Sequence, residues 1–191
     1  MIAANETQAG RIKDDLSFLF CSGVYNFPSR EYMFYDADAA NHGGEYARIK
    51  ALHRMDSANA IVTTVKAMLQ YPKPPQLLNR YNFGVQCGDI LDGEQFCADL
   101  STAGYKRVST VEGMGQYSRR GSIVDVFCPL GKNPVRIEFF DDEVDSLREF
   151  DRESQVSIKN VDSFTIVPAR ELIYDRDSLD TAVEKINALK N

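Results

Sequence analysis

The chain has 191 residues, 43% hydrophobic and 26% charged, a globular composition long enough for one large core or two small ones. Its formal net charge of −6 works against a phosphate backbone as partner, because non-specific nucleic-acid binding rests on Lys and Arg. No apolar run approaches the length that crosses a bilayer, and Met1 to Asn5 reads as a strand end entering a helix rather than as a leader. The expectation is a cytoplasmic protein with no membrane role.

In chain order, the first stretch has the grammar of an α/β domain. Within ETQAGRIKDDLSFLF, Ala9, Ile12, Leu16 and Leu19 recur at helical spacing with charged residues between them. GVYNF (23–27) is a short strand closed by Pro28. EYARIKALHRM (45–55) is a second amphipathic helix with Ile49 and Leu52 inward. ANAIVTTV follows as a buried strand around Ile61 and Val62, running into a helix at 66–70. Strands alternating with helices predict a mainly parallel sheet covered by helices.

YPKPP (71–75) breaks that pattern and marks a module boundary, since three prolines in five residues cannot continue a helix. Beyond it, DGEQFCADLSTAGY predicts a helix with Asp92 as N-cap and Gln95 completing a capping box. QYSRR, SIVDVF, VRIEFF and EVDSLREF then follow at close intervals, separated by short links with Gly121, Pro129, Gly131, Asn133 and Asp141-Asp142. Such links suit antiparallel hairpins. The apolar run Phe164–Val167 is expected to return to the first sheet, and 179–189 reads as a final helix with Val183, Ile186 and Leu189 on one stripe. The organisation predicted is a first part of an α/β domain (1–76), an inserted α+β module rich in antiparallel hairpins (77–163), and a return (164–191).

Catalytic constellations are absent from the pattern. No GxxxxGK[ST] loop occurs: Gly113-Met114-Gly115 lacks the following Lys, and Gly131-Lys132 runs into Asn133-Pro134. The chain by itself is therefore predicted not to be an enzyme, with no cofactor and no catalytic residue. Cys21, Cys87, Cys97 and Cys128 form no CxxC pair and read as reduced, mostly buried thiols; His42 and His53 have no ligand spacing, so no metal site is expected. Asp141-Asp142-Glu143 is a dense carboxylate cluster, but its place between two strands favours a turn.

The arginine-bearing strands are more informative. Side chains alternate along a strand, so Val135, Ile137 and Phe139 share one face and Arg136, Glu138 and Phe140 the other. Arg and an exposed aromatic on one face have the composition of an interface hot spot. A sheet covered on both sides would make Phe140 core instead, and periodicity leaves both readings open. Arg120, in the neighbouring hairpin, extends the same polar face; a solvated pair is the competing reading of Arg119 and Arg120.

YSRRGSIVDVFCPLGKNPVRIEFFDDEVDSLREFDRESQVSI, followed by IVPARE, resembles the N-terminal region of the bacterial transcription-repair coupling factors (Mfd). It is similar, less closely, to the matching part of the excinuclease component UvrB. YNFPSREYMFYDA, the helix around Arg48-Ile49-Lys50-Ala51-Leu52, and IVTTVKAML agree too, so the likeness spans essentially the whole chain. Ser118 stands where UvrB commonly carries another arginine, which favours the coupling-factor side.

The resemblance implies a helicase-like α/β domain lacking motor motifs that carries the inserted α+β domain. It implies that the inserted domain docks UvrA, the damage-recognition ATPase of the excinuclease, recruiting it to lesions at stalled RNA polymerase. The contact residues implied are Arg120, Arg136, Glu138 and Phe140, with Arg119 as a weaker neighbour. ATP with Mg, RNA polymerase and DNA would be bound by other domains of the parent translocase, making this an N-terminal fragment whose docking surface those domains can mask. The alternative expectation is a module that binds DNA directly.

Overall fold

The computed structural model describes residues 1–30, 43–70, 79, 81–172, 183, 186 and 187. Strand β1 (Ile2–Ala3) leads into α1 (Glu6–Phe20), whose N-cap Asn5 accepts a hydrogen bond from the Gln8 amide at 2.9 Å. Next come β2 (Val24–Phe27), α2 (Gly43–His53), β3 (Ala60–Thr64) and α3 (Val65–Leu69). The three strands form one sheet in the order β1-β3-β2, and both pairings are parallel. The parallel sheet is as expected. Ala9 is fully buried against Ala3, Val24 and Val62, with Ile12 and Leu16 beside them.

Leu19 is not inward; it is exposed, as are Phe18 and Phe20. A helix of 15 residues is roughly 22 Å long, whereas the longest strand beneath it, of five residues, covers roughly 16 Å, so the last turn has no sheet to pack on.

The chain resumes with β4 (Phe83–Gln86) and α4 (Gly93–Thr102). Asp92 caps α4, accepting from the amides of Glu94 (2.7 Å) and Gln95 (3.1 Å). The reciprocal half of the predicted capping box does not form. The Gln95 side chain is turned along the helix instead, its Nε2 donating to Asp99, one turn on, at 2.8 Å.

Then come β5 (Lys106–Arg107), β6 (Gln116–Arg120), β7 (Ile123–Val126), β8 (Val135–Phe140), β9 (Glu143–Phe150), β10 (Ser157–Asn160) and β11 (Ser163–Ile166). Strands β5 to β10 make a sheet in the order β10-β9-β8-β7-β6-β5, antiparallel except for the β5–β6 pair. One face of this sheet packs on α4 through Val124, Val126, Val135, Ile137, Phe139, Val144 and Leu147; Phe96 of α4 meets Phe83 and Phe139 edge-on.

The run at 164–167 does not return to the first sheet. Strand β11 pairs antiparallel with β4, Ser163 opposite Gln86 and Ile166 opposite Phe83, and Ile166 is fully buried in the α4 core. The strands that enter and leave the hairpin region thus pair with each other, because that satisfies both edges and buries their apolar side chains together. The proline stretch at 71–75 lies outside the described residues. So does the final helix except for 183, 186 and 187, which are helical; Val183 and Ile186 are exposed. Cys97 and Cys128 are buried, but Cys21, at the end of α1, and Cys87, at the end of β4, are exposed.

Polar contacts tie α2 to the second part. Tyr46 donates its hydroxyl hydrogen to the Met114 carbonyl at 2.8 Å, so close to Gly115 that a Cβ there would collide with the hydroxyl. Deeper in, fully buried Arg48 gives Nε to Glu171 Oε2 at 2.7 Å and Nη2 to Oε1 at 3.1 Å, donates Nη1 to the Pro28 carbonyl at 2.7 Å, and stacks 4.0 Å from the Phe27 ring. Arg30 adds a second guanidinium 2.6 Å from Glu171 Oε1, and the Glu171 amide donates to Glu45 at 2.9 Å. No helix among the described residues is long and apolar enough to cross a membrane.

Burial pushes the Glu171 carboxyl up, but the hydrogen bonds and charges of Arg48 and Arg30 outweigh it and hold it below its ordinary 4.5. A depressed carboxylate stabilises the fold at pH values above 4.5, and that stability is lost as pH falls through the folded-state value. Glu171→Ala, which leaves Arg48 buried without its partner, is expected to cost about 3–5 kcal/mol in urea unfolding at neutral pH. The variant should also lose part of the parent's acid sensitivity below pH 4.5.

Candidate protein-binding site

The outer face of the six-stranded sheet, opposite α4, is set by strand register. Arg120 and Ile123 are opposed across the β6–β7 turn, where Gly121 takes φ 61°, a left-handed conformation that suits glycine. From there, Ser118, Asp125, Arg136 and Arg148 fall opposite one another across β6, β7, β8 and β9. A second row holds Arg120, Ile123, Glu138 and Ser146. After a register shift following Glu138, Phe140 pairs with Glu143.

Two ion-pair clusters occupy these rows. The fully buried Asp125 accepts from Arg136 Nε at 2.7 Å and Nη2 at 2.9 Å, and from Arg120 Nη2 at 2.9 Å. The bond to Asp125, opposed by burial, raises the Arg136 titration further and keeps its charge fixed. The same guanidinium lies 4.6 Å from the centre of the Phe150 ring. Beside it, Glu138 Oε2 accepts from Arg148 at 2.5 Å and from the Ser146 hydroxyl at 2.9 Å. A bidentate pair to a buried carboxylate is a rigid unit, whereas the Arg120 arm, with its side chain 53% exposed, contributes about 0–1 kcal/mol.

Phe140 is 78% exposed, so it is not core. Nothing among the described residues covers the sheet at this end, which excludes the reading of Phe140 as core. The structure therefore brings together Arg120, Arg136, Glu138 and Phe140. It does not bring Arg119 to them. Consecutive residues of a strand point to opposite faces, and Arg119 lies on the α4 side, its guanidinium over Gly93 and 3.9 Å from Glu94.

Asp125, Arg148, Ser146 and Phe150 belong to the same construction and escaped the sequence reading. A single carboxylate inside the apolar run Ile123–Phe127, between two arginine-bearing strands, was the available signal. Asp141 and Asp142 form the β8–β9 turn, with Asp141 at φ 58°. A cleft of about 450 Å³ between β4 and α4 is lined by Phe83, Leu91 and Phe96. Its carboxylates are engaged: Asp92 caps α4 and Asp99 accepts from Gln95. Among the described residues no group of three His, Cys, Asp or Glu side chains is placed to hold a metal ion.

Residues 83–172 match the UvrB interaction domain family. The chain is 32% identical over 191 residues to the transcription-repair-coupling factor of Bacillus subtilis (strain 168), covering 98% of this chain. It is 29% identical to those of Staphylococcus aureus (strain USA300) over 97% of the chain and of Escherichia coli (strain K12) over 94%. The chain matches the N-terminal region of a transcription-repair-coupling factor. It spans 16% of the length of each of these relatives. Every residue of the two ion-pair clusters, and Phe140, falls inside the stretch matching the UvrB interaction domain.

Within the stretch that matches the UvrB interaction domain, Asp125 holds two arginines in place from within the sheet. Asp125→Ala is expected to cost about 1–3 kcal/mol in urea unfolding, because it leaves the partly buried Arg136 without its acceptor. Arg120→Ala, at the exposed arm, should cost less than about 1 kcal/mol in the same measurement.

Proposed function

We propose that this chain is a protein-binding module of a transcription-repair coupling factor, and that the outer sheet face bearing Arg120, Arg136, Glu138 and Phe140 docks the excinuclease ATPase UvrA. Docking there would recruit UvrA to lesions where RNA polymerase has stalled. The observation that carries the reading is Phe140, 78% exposed at the end of a face otherwise organised by the Asp125 and Glu138 ion pairs. A large aromatic in water beside pre-oriented arginines is the make-up of a binding hot spot, and the match to a UvrB interaction domain supports the choice of partner. The module is read as an insertion in a helicase-like α/β domain, with β4 and β11 as its entering and leaving strands. Translocation on ATP, RNA polymerase contact and DNA contact are assigned to the other domains of the parent, and none of these roles to this chain.

Direct DNA binding is the poorer fit. Arg136 and Arg120 are paired to Asp125 and Arg148 to Glu138, so the face offers few free cations to a phosphate backbone.

Titration with UvrA tests the assignment. Phe140→Ala and Arg136→Ala should each weaken binding by about 2 kcal/mol or more, roughly thirtyfold, with the melting temperature of Phe140→Ala unchanged. Parent-like binding by both variants would remove this face as the docking site. Retention of duplex DNA at physiological salt would favour the DNA reading.

A further inference from the structure

The loop after β4 is stitched to the β8–β9 turn by three backbone hydrogen bonds. The Gly88 amide donates to Val144 at 2.8 Å, the Val144 amide to Asp89 at 2.9 Å, and the Leu91 amide to Asp142 at 2.7 Å. Between them, Ile90 forms an antiparallel bridge with Glu143. Residues directly opposed across an antiparallel pair put their side chains on the same face. Glu143 is opposed to Phe140 on one side and to Ile90 on the other. The register therefore sets the three residues in one row across the sheet end, Ile90 being also at the rim of the cleft beside α4.

Burial agrees with that placement. Ile90 is 71% exposed, at the rim of that cleft, and Glu143 is exposed, while their neighbours Leu91 and Val144 pack in the α4 core. With strands 4.7–4.9 Å apart, Ile90 and Phe140 are separated by roughly 10 Å with a carboxylate between them.

We infer that Ile90 and Glu143 extend the docking face, and that the surface it fits carries two apolar spots roughly 10 Å apart flanking a Lys or Arg. The inference rests on the reading of Phe140 as a docking residue and adds the chemistry of the complementary patch. The row is held by main-chain bonds, so it meets a partner already formed, without the entropic cost of ordering a loop.

The test is titration of UvrA with Ile90→Ser, Glu143→Lys and Phe140→Ala, each also melted to check the fold. Ile90→Ser should weaken binding roughly fivefold or more and Glu143→Lys roughly tenfold. The Glu143→Lys loss should shrink at high salt, because it acts through charge. If Phe140→Ala weakens binding while Ile90→Ser and Glu143→Lys bind like the parent, this inference is wrong and the docking face stands. If none of the three weakens binding, both fall. Should Ile90→Ser melt earlier than the parent, the exposed Glu143→Lys substitution decides alone.

Discussion

The contact on which the arrangement depends is the buried pair of Arg48 and Glu171. Arg48 belongs to α2, on the parallel sheet, and Glu171 lies just past β11, where the chain leaves the hairpin region. Neither charge is reachable by water, so each requires the other; a shift of either part would strand an ion in an apolar interior. Arg30, the Pro28 carbonyl and the Phe27 ring use up the remaining faces of the guanidinium and carboxylate. The pair adds modest stability for its size but strong positional demand, since a planar fork bonding a carboxylate on two sides admits little rotation. The neighbouring cluster of Ile49, Cys128 and Val167 fills the space around it with apolar contact.

The outer sheet face repeats this logic on a smaller scale. Asp125 is enclosed in the sheet and has no route to water, so the two arginines that neutralise it are held where its oxygens point. Arg136 also lies against Phe150, which leaves the guanidinium few alternative positions. The result is a patch in which charges are fixed before any partner arrives, next to an aromatic that no part of the described chain covers. Preorganisation of this kind is what the proposed docking role would use, since binding to a phosphate backbone usually relies on unpaired and mobile cations.

Much of this was legible in residue order. Period-two alternation in VRIEFF separated Val135, Ile137 and Phe139 from Arg136, Glu138 and Phe140, and the structure keeps that division. Gly121 and Asp141-Asp142 marked the two hairpin turns, and Ile49 and Leu52 the inward side of α2. What misled was context beyond the segment. Leu19 fits a helical stripe, but the stripe outlasts the sheet beneath it. Gln95 fits a capping box, but its side chain turns along the helix to Asp99. The run at 164–167 fits a strand of either sheet, and only its pairing with β4 tells which.

Local periods and turn residues determined, by sequence alone, that a parallel α/β stretch precedes a set of antiparallel hairpins, and which side of β8 faces the core. They did so because alternation and helical repeat depend on bonds between near neighbours. Only the tertiary structure decided that Phe140 is exposed, that Asp125 joins Arg120 to Arg136, that Arg119 faces α4, and that Arg48 meets Glu171 across 123 positions. Those facts depend on register between strands and on what covers each face. Such relations join residues far apart in the chain, and no local pattern encodes them.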